Sequence, residues 1–271
     1  MPELPEVETI VSDLKPVLVG RFFVDLVGTH ENTIIGALDN VATVRDKRVV
    51  EVSRRGKFIN IFFENDYVMT IHLRMSGRII SRGIDDEILR FERMRIDFNS
   101  ISLRFCDVRK FGRVWICKAS EYEEVTGISR LGVEPLNGDL NLEKFTKMMN
   151  GKSGVVKKWL LDQSLIAGVG NIYADEGCFY AGIRPGARME NLKKKELEKL
   201  FEGVLKALRQ GIKNRGTSIS DFQDANGRKG RNQELLYVYG RGGEECLKCK
   251  NILKRTVVAG RGTVYCEQCQ K

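Results

Sequence analysis

The sequence predicts an α+β multidomain chain in three parts: an N-terminal β-sandwich with flanking helices, a helical domain, and a C-terminal four-cysteine finger. Three observations lead there. The hydrophobic period is near 3.6 up to residue 19, moves towards 2 between residues 22 and 117, and returns to 3.6 from residue 142. A turn-rich stretch without periodicity, Leu131-Gly132-Val133-Glu134-Pro135-Leu136-Asn137-Gly138, separates the two regimes. The spacing Cys246-x2-Cys249-x16-Cys266-x2-Cys269 closes the chain. The expected boundaries are 1–131, 132–236 and 237–271.

A first helix is expected over 5–19. Val7, Ile10, Val11, Leu14 and Leu18 form one stripe, and Pro16 with Gly20 marks its fraying end. Candidate strands follow at 22–27, 48–53, 58–63, 68–73, 78–81, 94–98, 102–105 and 114–117, with turn signals such as Glu64-Asn65-Asp66 and Asn99-Ser100 between them. Many short strands after one helix read as a sandwich with that helix on its flank. Ser120 and Glu123 have capping-box spacing for a short helix. Further helices are expected at 142–150, 155–162, 172–180 and 194–214, the last with a core stripe of Leu197, Phe201, Val204, Leu208 and Ile212. Residues 217–232 turn polar and glycine-bearing, which reads as a mobile segment in the absence of a ligand.

The chain has 271 residues and a net charge of +9, which favours a polyanionic partner. The charge is uneven. From Lys213 to Lys271 there are 12 basic and 6 acidic residues, leaving +3 for the 212 residues before them. A nucleic-acid-binding end accounts for that asymmetry. No run of about 18 apolar residues exists to span a membrane, and glutamates stand where a signal peptide would carry lysines. The expected location is therefore the cytoplasm. Of seven cysteines, Cys106, Cys117 and Cys178 stand among apolar neighbours and read as reduced, buried small hydrophobes.

The remaining four, Cys246, Cys249, Cys266 and Cys269, match the spacing of a four-thiolate zinc site. Four thiolates leave no open position for a catalytic water, so one structural zinc ion is expected, holding a segment too small for its own core. Arg261, between Gly260 and Gly262, falls at the expected hairpin tip, where a backbone and one side chain can approach a phosphate. A second constellation is Gly168-Val169-Gly170-Asn171-Ile172-Tyr173. Glycines before a helix start, with Asn171 near the cap, make an anion site by geometry and dipole. Lys157 and Lys158 on the preceding helix add positive charge. A third set comprises Arg54-Arg55-Gly56-Lys57, His72-Leu73-Arg74-Met75-Ser76-Gly77 and Asp107-Val108-Arg109-Lys110-Phe111-Gly112. Arginine beside an aromatic or thioether group is what entry into a duplex requires. His72 itself, on an apolar strand, reads as structural by spacing.

The first six residues, Met1-Pro2-Glu3-Leu4-Pro5-Glu6, carry two readings. The ordinary one is a helix start, with Glu3 and Glu6 at its positive end. The chemical one is that removal of Met1 frees a secondary amine on Pro2, able to form a Schiff base with an aldehyde, with Glu3 beside it to move a proton.

With these motifs together, the chain resembles the formamidopyrimidine-DNA glycosylases, bacterial enzymes of oxidised-purine repair, along its whole length. The resemblance implies an N-terminal β-sandwich, a helix–two-turn–helix domain and a zinc finger, with damaged duplex DNA as the partner. It implies that Pro2 attacks C1′ of the flipped nucleoside, that Glu3 assists proton transfer, and that Lys57 contacts the phosphate beside the lesion and supports elimination. Met75, Arg109 and Phe111 match the family's void-filling trio, Asn171 and Arg261 its phosphate grippers, and Lys157 a further basic contact. The expected catalytic set is Pro2, Glu3, Lys57 and Arg261. His72 and Tyr239 complete the expected DNA contacts. The polar segment over 217–236 matches the loop that closes over an everted oxidised guanine. The implied reaction is base release through the Pro2 Schiff base and strand cleavage by β,δ-elimination. The resemblance implies that neither a catalytic metal nor a nucleotide cofactor takes part, and a monomer is expected.

Two alternatives stay open at this point. An endonuclease VIII-like enzyme would remove oxidised pyrimidines on the same scaffold, although that group usually has glycine where this chain has Leu4 and lacks a long capping loop. A non-catalytic zinc-finger DNA-binding protein would have no need of Pro2-Glu3. The chain also departs from its relatives. Arg93-Met94-Arg95 stands where many carry two histidines, Lys158 where a proline is common, and Val133 where a proline often precedes Glu134.

Overall fold

The structure, a computed structural model, describes residues 1–28, 34–35 and 38–271. It divides into two compact units: Met1–Ser129 with Asn214–Gln233, and Arg130–Lys213 with Glu234–Lys271. The chain leaves the first unit within two residues of the expected boundary. The polar segment, however, returns to the first unit, and the finger belongs to the same unit as the helices.

In the first unit, α1 (Leu4–Leu18) runs through Pro16. This differs from the expected fraying there, because a proline in the last turn leaves the earlier turns' hydrogen bonds intact. Its stripe of Val7, Ile10, Val11, Leu14 and Leu18 is buried. Two sheets follow. One has the order β1-β7-β8-β6 and comprises β1 (Phe23–Gly28), β7 (Glu92–Phe98), β8 (Ile101–Cys106) and β6 (Arg78–Arg82). The other has the order β2-β9-β5-β4-β3 and comprises β2 (Ile34–Ile35), β9 (Arg113–Lys118), β5 (Tyr67–His72), β4 (Phe58–Phe63) and β3 (Val49–Arg55). All pairings are antiparallel except β2 with β9.

Inner faces of both sheets and the α1 stripe share one core, in which Phe23 meets Phe63 and Phe98 edge-on with ring centroids 5.9 Å apart. The expected sandwich is therefore present, with every candidate strand within two residues at each end. The sequence reading missed β2 and the seven-residue α2 (Leu38–Val44). Arg104, fully buried, organises the β6–β7 connection by donating to the carbonyls of Gly83, Ile84 and Asp86 and pairing with Glu92 at 3.3 Å. The short helix after β9, α3 (Tyr122–Thr126), has Glu121 at its N-cap and no side-chain cap bond, so the Ser120–Glu123 capping box does not form.

The second unit holds α4 (Leu142–Met149), α5 (Val156–Leu160), α6 (Asn171–Ala181) and α7 (Lys194–Lys213). The deepest positions of α7 lie slightly round the helix from the expected stripe: Leu200, Gly203, Val204, Ala207, Leu208 and Gly211. The glycines explain the shift. A Cβ on Gly203 would lie 2.5 Å from the Gly177 carbonyl, and one on Gly211 would lie 2.5 Å from the Tyr173 ring. Close approach of α6 and α7 therefore excludes side chains there. The finger hairpin, β10 (Lys254–Val258) and β11 (Arg261–Tyr265), turns through Ala259 and Gly260, both at positive φ. That geometry matches the right-handed twist of a two-residue hairpin. Among the described residues, no helix is long and apolar enough to cross a membrane.

Candidate active site and nucleic-acid interface

In the first unit the site begins at the N-terminus. Pro2 and Glu3 are buried ahead of α1, and Met1 is half exposed. Glu3 and Glu6 form a reciprocal capping box, in which the Glu3 backbone N–H donates to Glu6 Oε2 at 2.8 Å. Glu6 Oε1 accepts the Thr217 N–H at 2.7 Å. One carboxylate therefore fixes the backbone beside Pro2 and the base of the polar segment. The helix-start reading of these residues holds, and it is also what immobilises Pro2.

That polar segment is tightly tied down, unlike the loose loop expected from its composition. Phe222 and Ala225 enter the sandwich core. Arg215 pairs with Asp13 at 2.6 Å and also with Asp224. The Asp224 carboxylate in turn accepts the N–H groups of Asn226 and Arg228.

Lys57 follows Gly56, whose φ of +56 makes the tight β3–β4 turn. It is 8% exposed. Arg54 ties this turn to α1 by pairing with Glu8 at 2.7 Å and donating to the Gly56 carbonyl. His72 faces Phe58 across β4–β5, ring centroids 4.5 Å apart, and its Nδ1 accepts the Arg74 N–H. Burial, then the charges of Arg74 and Lys57, push its pKa down to about 3. It is a neutral, enclosed ring at ordinary pH and brings no charge to a phosphate.

Met75 and Phe111 are 44% and 46% exposed. The Arg109 guanidinium lies 4.8 Å from the Phe111 ring centroid. All three therefore stand on the surface of the first unit, available to a partner.

In the second unit, Lys157 is fully buried. It pairs with Asp175 at 2.6 Å and donates to Thr263 Oγ1 at 2.7 Å and to the Gly262 carbonyl at 3.2 Å. An ammonium so enclosed cannot reach a phosphate, so the expected basic contact is instead an internal tie on β11. Asp175, whose pKa burial pushes up to about 7 against the pull of Lys157, also receives the Val264 N–H. Gln163 staples the glycine turn from both sides, accepting from the Gly168 N–H and donating to the Val169 carbonyl. Asn171, the first residue of α6, donates to the Gly262 carbonyl at 3.1 Å. Asn171 and the exposed Arg261 are thus neighbours across one peptide. The backbone of Tyr239 is held by Glu176, whose buried carboxylate accepts the N–H groups of Tyr237, Val238 and Tyr239. The sequence reading missed Glu176, Asp175 and Thr263, because acidic and hydroxyl residues on helix and strand carry no spacing signature of a distant partner.

Cys246, Cys249, Cys266 and Cys269 bring their sulfurs within 4.8 Å of one another. A tetrahedral ion with Zn–S bonds near 2.3 Å needs sulfurs about 3.8 Å apart. Two pairs stand at 3.9 and 3.4 Å, so the four thiolates fit zinc. Cys106, Cys117 and Cys178 are buried free thiols, as expected.

Three family models match: the formamidopyrimidine-DNA glycosylase N-terminal domain over residues 1–114, the H2TH domain of the same enzymes over 131–223, and the zinc finger found in FPG and IleRS over 243–271. The chain belongs to the formamidopyrimidine-DNA glycosylase family. A formamidopyrimidine-DNA glycosylase of Desulfitobacterium hafniense is 37% identical, with all of both chains covered. A crystal structure of a Lactococcus lactis FPG mutant in complex with Fapy-dG-containing DNA superposes with a TM-score of 0.92 at 30% identity, again covering both chains fully. The Thermus thermophilus protein gives 0.90 at 34% identity, covering 99% of this chain and 98% of that one. The helical domain is accordingly the family's helix–two-turn–helix domain, and the finger is its four-cysteine zinc finger.

Proposed function

We propose that this DNA glycosylase excises oxidised purines, among them 8-oxoguanine and formamidopyrimidines, from duplex DNA through a Pro2 Schiff base and then cleaves the strand. Pro2, freed of Met1, attacks C1′ of the everted nucleoside, and the C1′–N bond to the damaged base breaks. Glu3 protonates the ring oxygen O4′ as the C1′–O4′ bond opens, the Pro2 nitrogen lone pair forms the C1′=N bond, and the proton lost from Pro2 nitrogen passes to the departing base. The resulting iminium at C1′ acidifies the 2′ hydrogen, so that β- and then δ-elimination expel the two flanking phosphates. Lys57 and Arg261 hold those phosphates and serve the elimination steps.

What supports this reading above all is the N-terminus: Pro2 and Glu3 are buried together, with the Glu3 backbone held by Glu6. A merely DNA-binding protein has no use for an immobilised N-terminal proline. Arg109, Met75 and Phe111 fill the space left by the everted base, Asn171 and Arg261 grip phosphate, and residues 217–236 cap the lesion. One zinc ion serves structure, the chemistry needs no metal, and the chain works as a monomer in the cytoplasm.

Borohydride trapping on an 8-oxoguanine duplex tests the reading. The protein freed of Met1 should form a covalent adduct, and Pro2→Gly or a protein retaining Met1 should form none. Lesion binding without any adduct, or a clear preference for thymine glycol over 8-oxoguanine, would overturn it.

A further inference from the structure

The β5–β6 connection, over residues 73–77, and the β8–β9 connection, over 107–112, are of the same kind. Each carries the chain from one sheet of the sandwich to the other, since β5 and β9 belong to the five-stranded sheet and β6 and β8 to the four-stranded one. The first displays Met75, the second Arg109 and Phe111. Such crossings have no ladder to hold them. Their backbone N–H groups must find other acceptors or face water.

In the first, the Arg74 N–H goes to His72 Nδ1 and the Gly77 N–H to the Leu73 carbonyl; in the second, two N–H groups converge on one carboxylate, which also takes the Ser76 hydroxyl of the first. Asp107 is 1% exposed. Its Oδ1 accepts the Ser76 hydroxyl at 2.6 Å and the Arg109 N–H at 3.1 Å, and its Oδ2 accepts the Gly112 N–H at 2.8 Å. Ser76, itself 4% exposed, also accepts the Arg109 N–H at 3.2 Å. The main chain of Asp107 is clamped as well: its N–H donates to the Phe91 carbonyl, and its carbonyl accepts Arg93 Nε, both at 2.9 Å. Gly112 has to be glycine, because a Cβ there would lie 2.1 Å from the Phe105 ring, and the Asp107 oxygen needs that N–H. Between the two bonded N–H groups the chain is pinned into a turn, with Lys110 at a φ of +59. The Arg109–Phe111 stack follows from that turn, and Ser76 locks the residue after Met75 to it.

We propose that Asp107 is a positioning residue that, through Ser76, presents Met75, Arg109 and Phe111 to a DNA duplex as one rigid wedge. This rests on the void-filling role given to those three side chains above. Base-stack entry is cooperative only if the apolar groups and the guanidinium arrive together; three independently mobile side chains would each lose conformational freedom on insertion. A buried, charge-assisted set of bonds supplies the rigidity beforehand.

Two conservative variants separate the contributions. Asp107→Asn keeps the shape but offers an NH2 group where Gly112 N–H or its partners need an acceptor. Ser76→Ala removes only the tie between the two crossings. Stopped-flow fluorescence of 2-aminopurine beside an 8-oxoguanine reports unstacking by the wedge. Cleavage of an abasic site in a single-stranded oligonucleotide needs no wedge. Loss of one hydrogen bond to a charged group corresponds to a roughly tenfold change in rate. The expected result is a fluorescence rise slowed about that much in Asp107→Asn, less in Ser76→Ala, with single-strand cleavage kept within about twofold.

A second readout is the coupling between Met75→Ala and Phe111→Ala, which should vanish in the Ser76→Ala background. Unchanged fluorescence kinetics in both variants would overturn the proposal, whatever their melting temperatures, and so would an equal fall on duplex and single strand. Failure of the Schiff-base reading is recognised separately, because the unaltered protein would then give no borohydride adduct.

Discussion

Two hairpins carry the basic residues assigned above to phosphate under the proposed function, and they are held in opposite ways. The β3–β4 hairpin, with Lys57 at its turn, is built into the sandwich, and five of the six β4 residues are buried. The β10–β11 hairpin, with Arg261 just past its turn, has four of five β10 residues exposed. Packing fixes the first. The second is fixed by four thiolates at its base and by Lys157, Asn171 and Asp175 along β11. A side chain placed by a core is insensitive to ions and chelators, whereas one placed by four thiolates that fit zinc and by a buried ion pair is expected to depend on both.

The largest test of that contrast is zinc removal. Chelation should unfold the finger and abolish DNA binding, as expected where metal binding is folding free energy, while the emission of Trp115, buried in the sandwich, stays native. Loss of the Trp115 signal at the same chelator concentration would show that the two regions are not independent. A smaller effect is expected from Lys157→Met. It strands the Asp175 carboxylate, for which breaking a buried pair costs about 3–5 kcal/mol. Thermal unfolding read at Trp159, on α5, should shift accordingly, and Lys157→Met with Asp175→Leu should recover most of it. An unshifted single variant would mean the thiolates alone hold the hairpin.

The smallest effect concerns the sandwich. His72 has a pKa near 3 in the fold against 6.5 for a free ring. Between those values the unfolded chain binds a proton that the fold refuses. The stability is thus complete above pH 6.5 and falls with decreasing pH, by about 1.4 kcal/mol per unit at most. In a Trp159→Phe background, the urea midpoint followed at Trp115 should drop less between pH 6 and pH 4 for His72→Gln than for the histidine protein. Equal slopes would show that other groups set the acid limit.

Much of this was legible in the sequence because the signals are local. Alternation gave the strands to within two residues, and cysteine spacing gave the finger. The failures share one cause. Lys157 beside Lys158 on a short helix looks like a solvated basic face, and nothing local reveals that Asp175 and Thr263 close over it. The segment after Thr217 looks loose by composition, yet Phe222 within it is an anchor, and Glu6 and Arg215 bind its base. The short β2 and α2 offer too few residues for any period to show. Asp107 was visible only as the first residue of a turn; its three bonds became apparent once both sheet crossings were in view.

The first unit is discontinuous, its last 20 residues arriving after the whole helical stretch. During synthesis, the sandwich therefore emerges without Phe222 and Ala225 to complete its core and without the Thr217 N–H that occupies Glu6. The end proposed to be nucleophilic is made first and finished late. A chain interrupted anywhere before residue 217 would carry Pro2 and Glu3 on an unfinished scaffold, so partial products of translation should be poor at cutting DNA.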